Sequence, residues 1–218
     1  MAMSSKHSWI EDSDVLSLFP TLVWKIQLQD EVREPIDASV LGLLHSLRQG
    51  EPELKPGAAW QSGHALHRGK ELHALCDCVC RAAASVLQFL KIGEDAIEIT
   101  GCWGNLYAPG AAHRMHNHPN NYLSAVYYVR VWPGADTINF HDPRSQAGVI
   151  RPPVRSLTAA NTDQVVVRVK NGALLVFPSY LSHSVDANAG GETRVSVSFN
   201  LMFSSFTTML AKPLWGDA

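Results

Sequence analysis

From residue 96 onward the sequence is a series of short β-type segments separated by turn residues. The segments are rich in branched and aromatic side chains, and pairs such as Pro-Gly, Asn-Gly and Gly-Gly lie between them. Strands are predicted at 97–107, 123–131, 136–141, 164–169, 173–177, 183–186 and 193–203. Many short strands with frequent turns favour a sandwich or a barrel, because either arrangement buries one face of every strand.

The first 95 residues have a different pattern. A short alternating segment at 19–28 predicts one strand, and apolar residues spaced three and four apart predict two helices. The first helix is expected to begin at Pro35 and to end before Gly50, and the second to cover 70–90. The inner face of the second helix is predicted to hold Leu72, Leu75, Val79, Ala83, Val86 or Leu87, and Leu90. Both helices are expected to pack against one face of the β-structure.

The composition is that of an ordinary globular chain of 218 residues, with 46% hydrophobic and 17% charged residues. A formal net charge of −2 indicates no basic surface for nucleic acid, and apolar runs of about six residues are far shorter than a membrane span. Residues 1–14 have no signal-peptide pattern, so a cytoplasmic location is expected. We expect one domain over 19–207, with a strand and helical layer at 19–95, a β core at 96–207, and loosely ordered ends at 1–14 and 211–218.

Three of the ten histidines, His113, His116 and His118, follow one predicted turn. In an extended chain, side chains two residues apart project from the same face, so His116 and His118 can reach one ion together. His183, at the start of a late predicted strand, is the candidate third ligand. Three imidazoles suit iron, zinc, copper or nickel, so they indicate a metal class rather than one metal. The alternative is that these are ordinary surface or hydrogen-bonded histidines.

The last predicted strand alternates polar and apolar side chains. Arg194, Ser196 and Ser198 share one face, and two valines and a phenylalanine share the other. If the polar face points into a barrel, Arg194 is a buried cation that needs an anion, and a carboxylate fits its two-pronged guanidinium. The alternative is that Arg194 pairs with a protein acid on the outer face.

Four motifs follow one another in the second half of the chain. They are Tyr107-x-Pro-Gly, His116-x-His118, a Tyr-Tyr pair ending at Tyr128, and His183 followed eleven residues later by Arg194. In this order they are similar to the 2-oxoglutarate and Fe(II)-dependent oxygenases, and most of all to the prolyl-hydroxylase-like branch and a bacterial group within it. The resemblance covers about 103–202. It implies a mainly β fold, the double-stranded β-helix (a jelly roll, as in cupins), with an N-terminal layer of two or more helices packed on one sheet.

The resemblance also implies roles for individual residues. His116 matches the first metal ligand and His183 the distal one, so that Fe(II) would be held by His116, His118 and His183. Arg194 matches the basic residue that binds the remote carboxylate of 2-oxoglutarate. Further contacts to this co-substrate are implied for Tyr128, Tyr107, Asn105 and Ser196. The implied activity is the hydroxylation of an unidentified substrate by molecular oxygen, with release of succinate and carbon dioxide.

One position departs from the family pattern. The second ligand is normally Asp or Glu, and here it is His118, a neutral side chain. Asp142 is an alternative source of a carboxylate, although its spacing does not match the motif. Two other functions therefore stay open: a three-histidine, cupin-like metalloenzyme that does not use 2-oxoglutarate, and a sensor that binds metal or carboxylate without turnover. The sequence indicates no nucleic-acid or membrane partner, and a homodimer is the expectation from general frequency.

Overall fold

The computed structural model describes residues 9–93, 96–144, 146 and 148–207. The strands in this part of the chain are β1 Trp24–Gln27, β2 Ala59–Gln61, β3 Ile97–Tyr107, β4 His113–His116, β5 Leu123–Arg130, β6 Thr137–His141, β7 Gln164–Arg168, β8 Ala173–Pro178, β9 His183–Val185 and β10 Arg194–Phe203. The helices are α1 Asp30–Leu47, α2 His73–Phe89 and α3 Ser204–Thr207, with short 3-10 turns at Leu66–Arg68 and Lys70–Leu72. Of the ends predicted to be loosely ordered, 1–8 and 211–218 lie outside the described residues.

The strands form two antiparallel sheets. The six-stranded sheet has the strand order β1, β8, β5, β10, β3, β2. The four-stranded sheet has the order β4, β9, β6, β7. An apolar cluster between the sheets joins Val126 and Tyr128 of β5 and Phe177 of β8 to Ile138 and Phe140 of β6. Because the core strands pass back and forth between two facing sheets, the architecture is the double-stranded β-helix that the family resemblance implied.

The helices α1 and α2 pack on the other face of the six-stranded sheet. Alternation along β5 separates the two faces, since Tyr127 belongs to the helix-side cluster and Tyr128 to the cluster between the sheets. The helices contribute to the helix-side cluster the buried residues Ile36, Val40, Leu44, Leu75, Val79, Ala82, Ala83 and Val86. The six-stranded sheet is therefore buried on both faces, and its inner face is free to carry a site.

One helical stretch, Lys70–Phe89, is long and apolar enough to cross a membrane by length and composition alone. The lengths of uninterrupted apolar runs in the sequence did not predict such a helix, because they do not reflect the low charge of the stretch as a whole. The core helix of a soluble protein passes the same test. Here α2 packs Leu75, Val79 and Val86 into the core against the sheet.

The boundaries of α1 correct the sequence prediction. The helix begins at Asp30, five residues before the predicted start at Pro35. Asp30 lies in the first turn, where a carboxylate interacts favourably with the positive end of the helix dipole. Arg33 contacts Asp30 at 2.7 Å and Asp37 at 3.1 Å, tying successive turns together. These contacts help to offset the hydrogen bond that Pro35 cannot donate inside the helix.

The seven strands predicted after residue 96 agree with β3 and β5–β10 to within one residue at each end. Two other predictions need correction, and two strands were missed. The strand expected at 19–28 is confined to Trp24–Gln27, and Leu90 lies beyond the end of α2 with 38% of its surface exposed. The short strands β2 and β4 had not been predicted, because neither has an apolar alternation of its own.

Candidate metal centre

All eight residues predicted to form the site line one cavity between the two sheets. They are Asn105, Tyr107, His116, His118, Tyr128, His183, Arg194 and Ser196. Apolar side chains complete the lining, among them Val126, Ile138, Phe177 and Val185. The cavity therefore combines a few polar groups from both sheets with an apolar wall, which is the usual make-up of a small-molecule site.

Three histidines converge within this cavity. One ring nitrogen each from His116, His118 and His183 lie within 4.8 Å of one another. Pairing of β4 with β9 explains part of this geometry, because His116 lies directly opposite His183. His118 lies two residues beyond β4, outside the strand, and its amide donates to the carbonyl oxygen of Ser179 at 3.0 Å. The shared strand face predicted for His116 and His118 is thus wrong in detail, and the segment after β4 brings the two rings together.

The outward-facing nitrogen of each histidine contacts an oxygen that accepts hydrogen bonds. Nδ1 of His116 lies 2.8 Å from the Arg114 carbonyl oxygen, and Nδ1 of His183 lies 3.0 Å from the Leu181 carbonyl oxygen. Nδ1 of His118 lies 2.5 Å from Asn200 Oδ1. A carbonyl oxygen only accepts, so each Nδ1 carries the hydrogen and each Nε2 keeps a free lone pair. Hydrogen bonds of this kind orient histidine ligands at metal centres.

Burial keeps two of these rings uncharged. Burial lowers the pKa of His183 to about 3, outweighing the Leu181 carbonyl contact, which acts in the opposite direction. Burial also lowers the pKa of His118, against the effect of its hydrogen bond to Asn200. An imidazole is protonated only below its pKa, so both rings are neutral at pH 7. A neutral ring with a free Nε2 is the form that binds metal.

The donor set fits a transition metal that accepts imidazole nitrogen, such as iron, nickel or zinc. The three-histidine cluster includes no carboxylate. Asp142, the alternative acid, is bound instead by Arg144, with 2.6 Å between Nη2 and Oδ2, and it is not among the residues that line the cavity. The arginine also lowers the pKa of Asp142. The structure therefore removes Asp142 from consideration as a ligand.

Arg194 projects into the cavity and is 3% exposed. Its Nη1 donates to the Thr137 carbonyl at 3.0 Å, and its Nε has no hydrogen-bond partner among the described residues. No salt bridge within the described residues includes it. Ser196 and Ser198 line the same cavity, as the alternation predicted. The alternative, an outer-face ion pair, is wrong: Arg194 is a buried cation that no anionic side chain in the described part of the chain neutralises.

Tyr128 lies beside this guanidinium. The Cζ atom of Arg194 is 5.1 Å from the centroid of the tyrosine ring. Among the described residues the buried Tyr128 hydroxyl has no hydrogen-bond partner. Burial raises its pKa to about 12 against the opposing effect of Arg194, so the hydroxyl keeps its proton. An unpaired cationic donor next to an unpaired hydroxyl donor fits a carboxylate, because leaving both groups unsatisfied costs about 1–3 kcal/mol each.

Two of the other predicted co-substrate contacts, Tyr107 and Asn105, have protein partners. The Tyr107 hydroxyl is 2.6 Å from Nδ1 of His113, and burial raises its pKa. The side chain of Asn105 accepts from Gln61 at 2.8 Å and donates to Ser198 at 3.0 Å. These hydrogen bonds fix the shape of the cavity wall on β3, beside the strands that carry Arg194 and Tyr128.

Three further side chains belong to the site although no function there was predicted for them. His113 stacks on His116 with 4.1 Å between ring centroids, and Trp103 stacks on His118 at 5.6 Å. Asn200 orients His118. In the sequence, His113 was recognisable as a member of the histidine cluster, and Trp103 lies shortly before the Tyr107 motif. The function of Asn200 depends on a contact across 82 positions, which no local pattern reveals.

Residues 101–200 match the protein family described as "Putative 2OG-Fe(II) oxygenase". The matched segment contains β4–β9, most of β3 and of β10, and all eight cavity residues predicted from the sequence. No curated protein matches the chain. The resemblance inferred from the sequence motifs is therefore confirmed over this core.

Solved structures of similar fold include several 2-oxoglutarate enzymes. A prolyl-4-hydroxylase of Pseudomonas putida is 18% identical with a TM-score of 0.53, over 84% of this chain and 93% of that chain. HygX of Streptomyces hygroscopicus, with nickel and 2-oxoglutarate bound, is 14% identical with a TM-score of 0.60, over 86% and 84%. A prolyl hydroxylase of Trichoplax adhaerens, in complex with a hypoxia-inducible-factor peptide fragment, is 14% identical with a TM-score of 0.58, over 87% of each chain. At these identities the likeness establishes the fold.

Proposed function

We propose that this chain is an Fe(II)- and 2-oxoglutarate-dependent oxygenase that hydroxylates an as yet unidentified substrate. With Fe(II) bound, one atom of molecular oxygen would enter a substrate C–H bond and the other would enter succinate, while 2-oxoglutarate loses carbon dioxide. The family match and the fold support this activity. In the proposal His116, His118 and His183 hold the iron, and Arg194 with Tyr128 holds the co-substrate.

The observation that carries the proposal is the pairing of two unsatisfied groups with the histidine cluster. The guanidinium of Arg194 and the hydroxyl of Tyr128 both have unpaired donors in the cavity where the three rings meet. A dicarboxylate with a keto group matches this layout, since one end can meet nitrogen ligands and the other a cation. A cavity built for metal alone would give the buried arginine no function.

The chain's own residues hold and orient the reactants in this scheme. The carbonyl partners of the three histidines fix the direction of each Nε2, so the metal position is set before binding. Tyr128 keeps its proton and donates to the co-substrate carboxylate. Phe177 and Val185 line the cavity with apolar surface, which excludes water and strengthens each polar contact inside.

The test is anaerobic calorimetry of the iron-loaded protein with 2-oxoglutarate. We expect micromolar binding in the original chain and a loss of about a hundredfold or more in Arg194→Met, which removes the charge but keeps an apolar chain of similar length. The matched control is Arg168→Ala, an exposed arginine that pairs with Asp136 on the surface. Its affinity should stay within about twofold of the original.

Two results would contradict the proposal. One is the absence of 2-oxoglutarate binding in protein shown to hold its metal. The other is equal affinity in the Arg194→Met variant, which would mean that the co-substrate does not use this cation.

A second function has one observation in its favour. The absence of a carboxylate from the three-histidine cluster suits a cupin-like metalloenzyme that does not need 2-oxoglutarate. Oxygen consumption separates the two: the oxygenase consumes oxygen and forms succinate only when 2-oxoglutarate is present, whereas the cupin-like enzyme is indifferent to it. A sensor would bind the acid without consuming oxygen.

The cellular setting stays a prediction. We propose a cytoplasmic protein with a single domain over 19–207 that forms a homodimer. Light scattering on a sizing column would give the mass of the particle, and limited proteolysis would locate the domain ends.

A further inference from the structure

The chain carries an exposed arm, residues 10–19, ahead of its first strand. These residues belong to no helix or strand, and every one of them is exposed. The arm includes four large apolar side chains whose exposed fractions lie between 72% and 96%: Val15, Leu16, Leu18 and Phe19. Leaving so much apolar surface in water is unfavourable, and large exposed apolar patches mark interaction sites.

The arm is acidic as well as apolar. It contains Glu11, Asp12 and Asp14 and has no lysine or arginine. No salt bridge within the described residues includes any of these three acids. Phe19 has a φ of 53°, which is uncommon for a bulky side chain, and Pro20 follows it. This bend separates the acidic, apolar arm from β1.

A second exposed surface has the complementary composition. This acceptor surface consists of residues 149–157 and of β7, an edge strand of the four-stranded sheet. It contains three arginines and no acidic residue. Arg151 contacts Asp163, just before β7, and so holds the two parts of the acceptor surface together. Its exposed apolar side chains are Val149, Ile150, Val154, Leu157, Val165 and Val166.

The fold brings the base of the arm close to this surface. Lys25 of β1 donates through Nζ to the carbonyl oxygen of Arg168 on β7, at 2.6 Å. Ten extended residues reach up to about 33–36 Å, so the arm is long enough to cross to a neighbouring molecule. The arm and the acceptor surface together supply about 20 residues of each chain, which is the usual size for one side of a stable interface.

We propose that the arm of one chain docks on the acceptor surface of a second copy, in a reciprocal two-fold dimer. The apolar side chains of the arm pack on those of the acceptor surface, and Asp12 and Asp14 face Arg151 and Arg155. Each chain gives one arm and receives one, as two-fold symmetry requires. The inference rests on the homodimer proposed above and is independent of the oxygenase activity.

The test is a pair of charge-reversed variants, with the dimer affinity of each measured by sedimentation velocity. The arm variant is Asp12→Lys with Asp14→Lys, and the acceptor variant is Arg151→Glu with Arg155→Glu. Each variant alone brings like charges together and should weaken the dimer about tenfold or more. An equal mixture of the two variants restores opposite charges at both contacts. The mixed dimer should therefore form with an affinity within about threefold of the original.

The controls separate this contact from general effects of charge and folding. Glu31→Lys with Glu53→Lys reverses two exposed acids outside the arm and should leave the dimer affinity within about twofold. Arg155→Glu alone keeps the contact between Arg151 and Asp163, so it serves if the double acceptor variant fails to fold. It should weaken the dimer by a smaller factor, and mixing with the arm variant should again restore it.

Three results would overturn the proposal. A dimer of unchanged affinity in both charge-reversed variants would keep the homodimer and reject the arm contact. A protein that is monomeric at all concentrations would reject both. Weakened dimers that mixing does not restore would show that the arm does not dock on a second copy. Calorimetry with 2-oxoglutarate on the same samples tests the oxygenase separately, because neither the arm nor the acceptor surface lines the cavity.

Discussion

At the scale of single residues, each ligand histidine is oriented by an acceptor oxygen that contacts its Nδ1. Two of the acceptors are main-chain carbonyls only two residues before the histidine that they contact, so His116 and His183 are held by their own local chain. His118 differs, because its acceptor is the side chain of Asn200 on β10. The third ligand thus depends on the docking of a distant strand, and it is the ligand most sensitive to a single substitution.

We predict that Asn200→Leu weakens metal binding about 10–100-fold. The substitution keeps a similar volume but leaves the Nδ1–H of a half-buried ring without an acceptor, so the ring loses its fixed orientation. Competition with a chromophoric chelator would measure the affinity for cobalt or zinc. Asn200→Asp is the matched control, since it keeps the acceptor and should bind metal at least as tightly as the original. Unchanged affinity in Asn200→Leu would show that the contact does not position the ligand.

At the scale of elements, α1 approaches the sheet closely at one point. Gly104 of β3 lies under Leu44, and a Cβ atom at Gly104 would lie 2.4 Å from Leu44 Cδ2. Gly104 also donates its amide to Ser62 Oγ at 2.9 Å, which limits sideways movement of the strand. Absence of a side chain at this position lets the helix seat on the sheet that carries Arg194.

We predict that Gly104→Ala lowers the free energy of unfolding by about 1–3 kcal/mol, because it overpacks the contact with Leu44. Urea denaturation followed by tryptophan fluorescence would measure the change. The double variant Gly104→Ala with Leu44→Ala should be more stable than the sum of the two single effects implies, since the methyl group fills space that the leucine vacates. Gly101→Ala is the control on the same strand, where the nearest atom lies at an ordinary 3.7 Å. Additive effects in the double variant would contradict this view of the packing.

The elements also show what the sequence was able to predict. Strands such as β5 and β10 are rich in branched and aromatic residues, so their ends were predictable from local pattern, and the polar–apolar alternation of β10 also predicted its faces. β2 and β4 are short and lack that alternation, and they become strands by pairing with β3 and β9. The predicted start of α1 at Pro35 was wrong. Proline is a common first residue of a helix, but here the helix begins earlier, at Asp30, and the contacts of Arg33 support the additional turn.

At the scale of the whole molecule, motif order was enough to identify the cavity. His116, His118, His183 and Arg194 are brought together by the fold, and the sequence had named all four. The sequence did not reveal Asn200 as a positioning residue, or that no acid is among the described residues that line the cavity, because both depend on which residues the two sheets bring together. Local pattern predicts elements, whereas only the packed sheets determine the charge of the cavity.

The proposed metal adds a link between the two sheets, which are also joined by packing and by hydrogen bonds such as the one from Arg194 to the Thr137 carbonyl. His116 and His183 belong to the four-stranded sheet, and His118 is bonded to β10 of the six-stranded sheet. A metal that binds only the folded chain stabilises it by about 2.7 kcal/mol at a hundredfold excess over Kd. For a chain of this size, we therefore expect the melting temperature to rise by roughly 5–10 °C.

The comparison that matters is the size of this rise in variants, because His183→Ala also removes packing against Phe177 and lowers the melting temperature without metal. Differential scanning calorimetry with and without cobalt should give a rise in the original protein and in His45→Ala, an exposed histidine of α1. In His183→Ala the rise should fall to near zero. A rise of equal size in that variant would place the metal elsewhere on the molecule, because two remaining ligands cannot hold an ion as tightly as three.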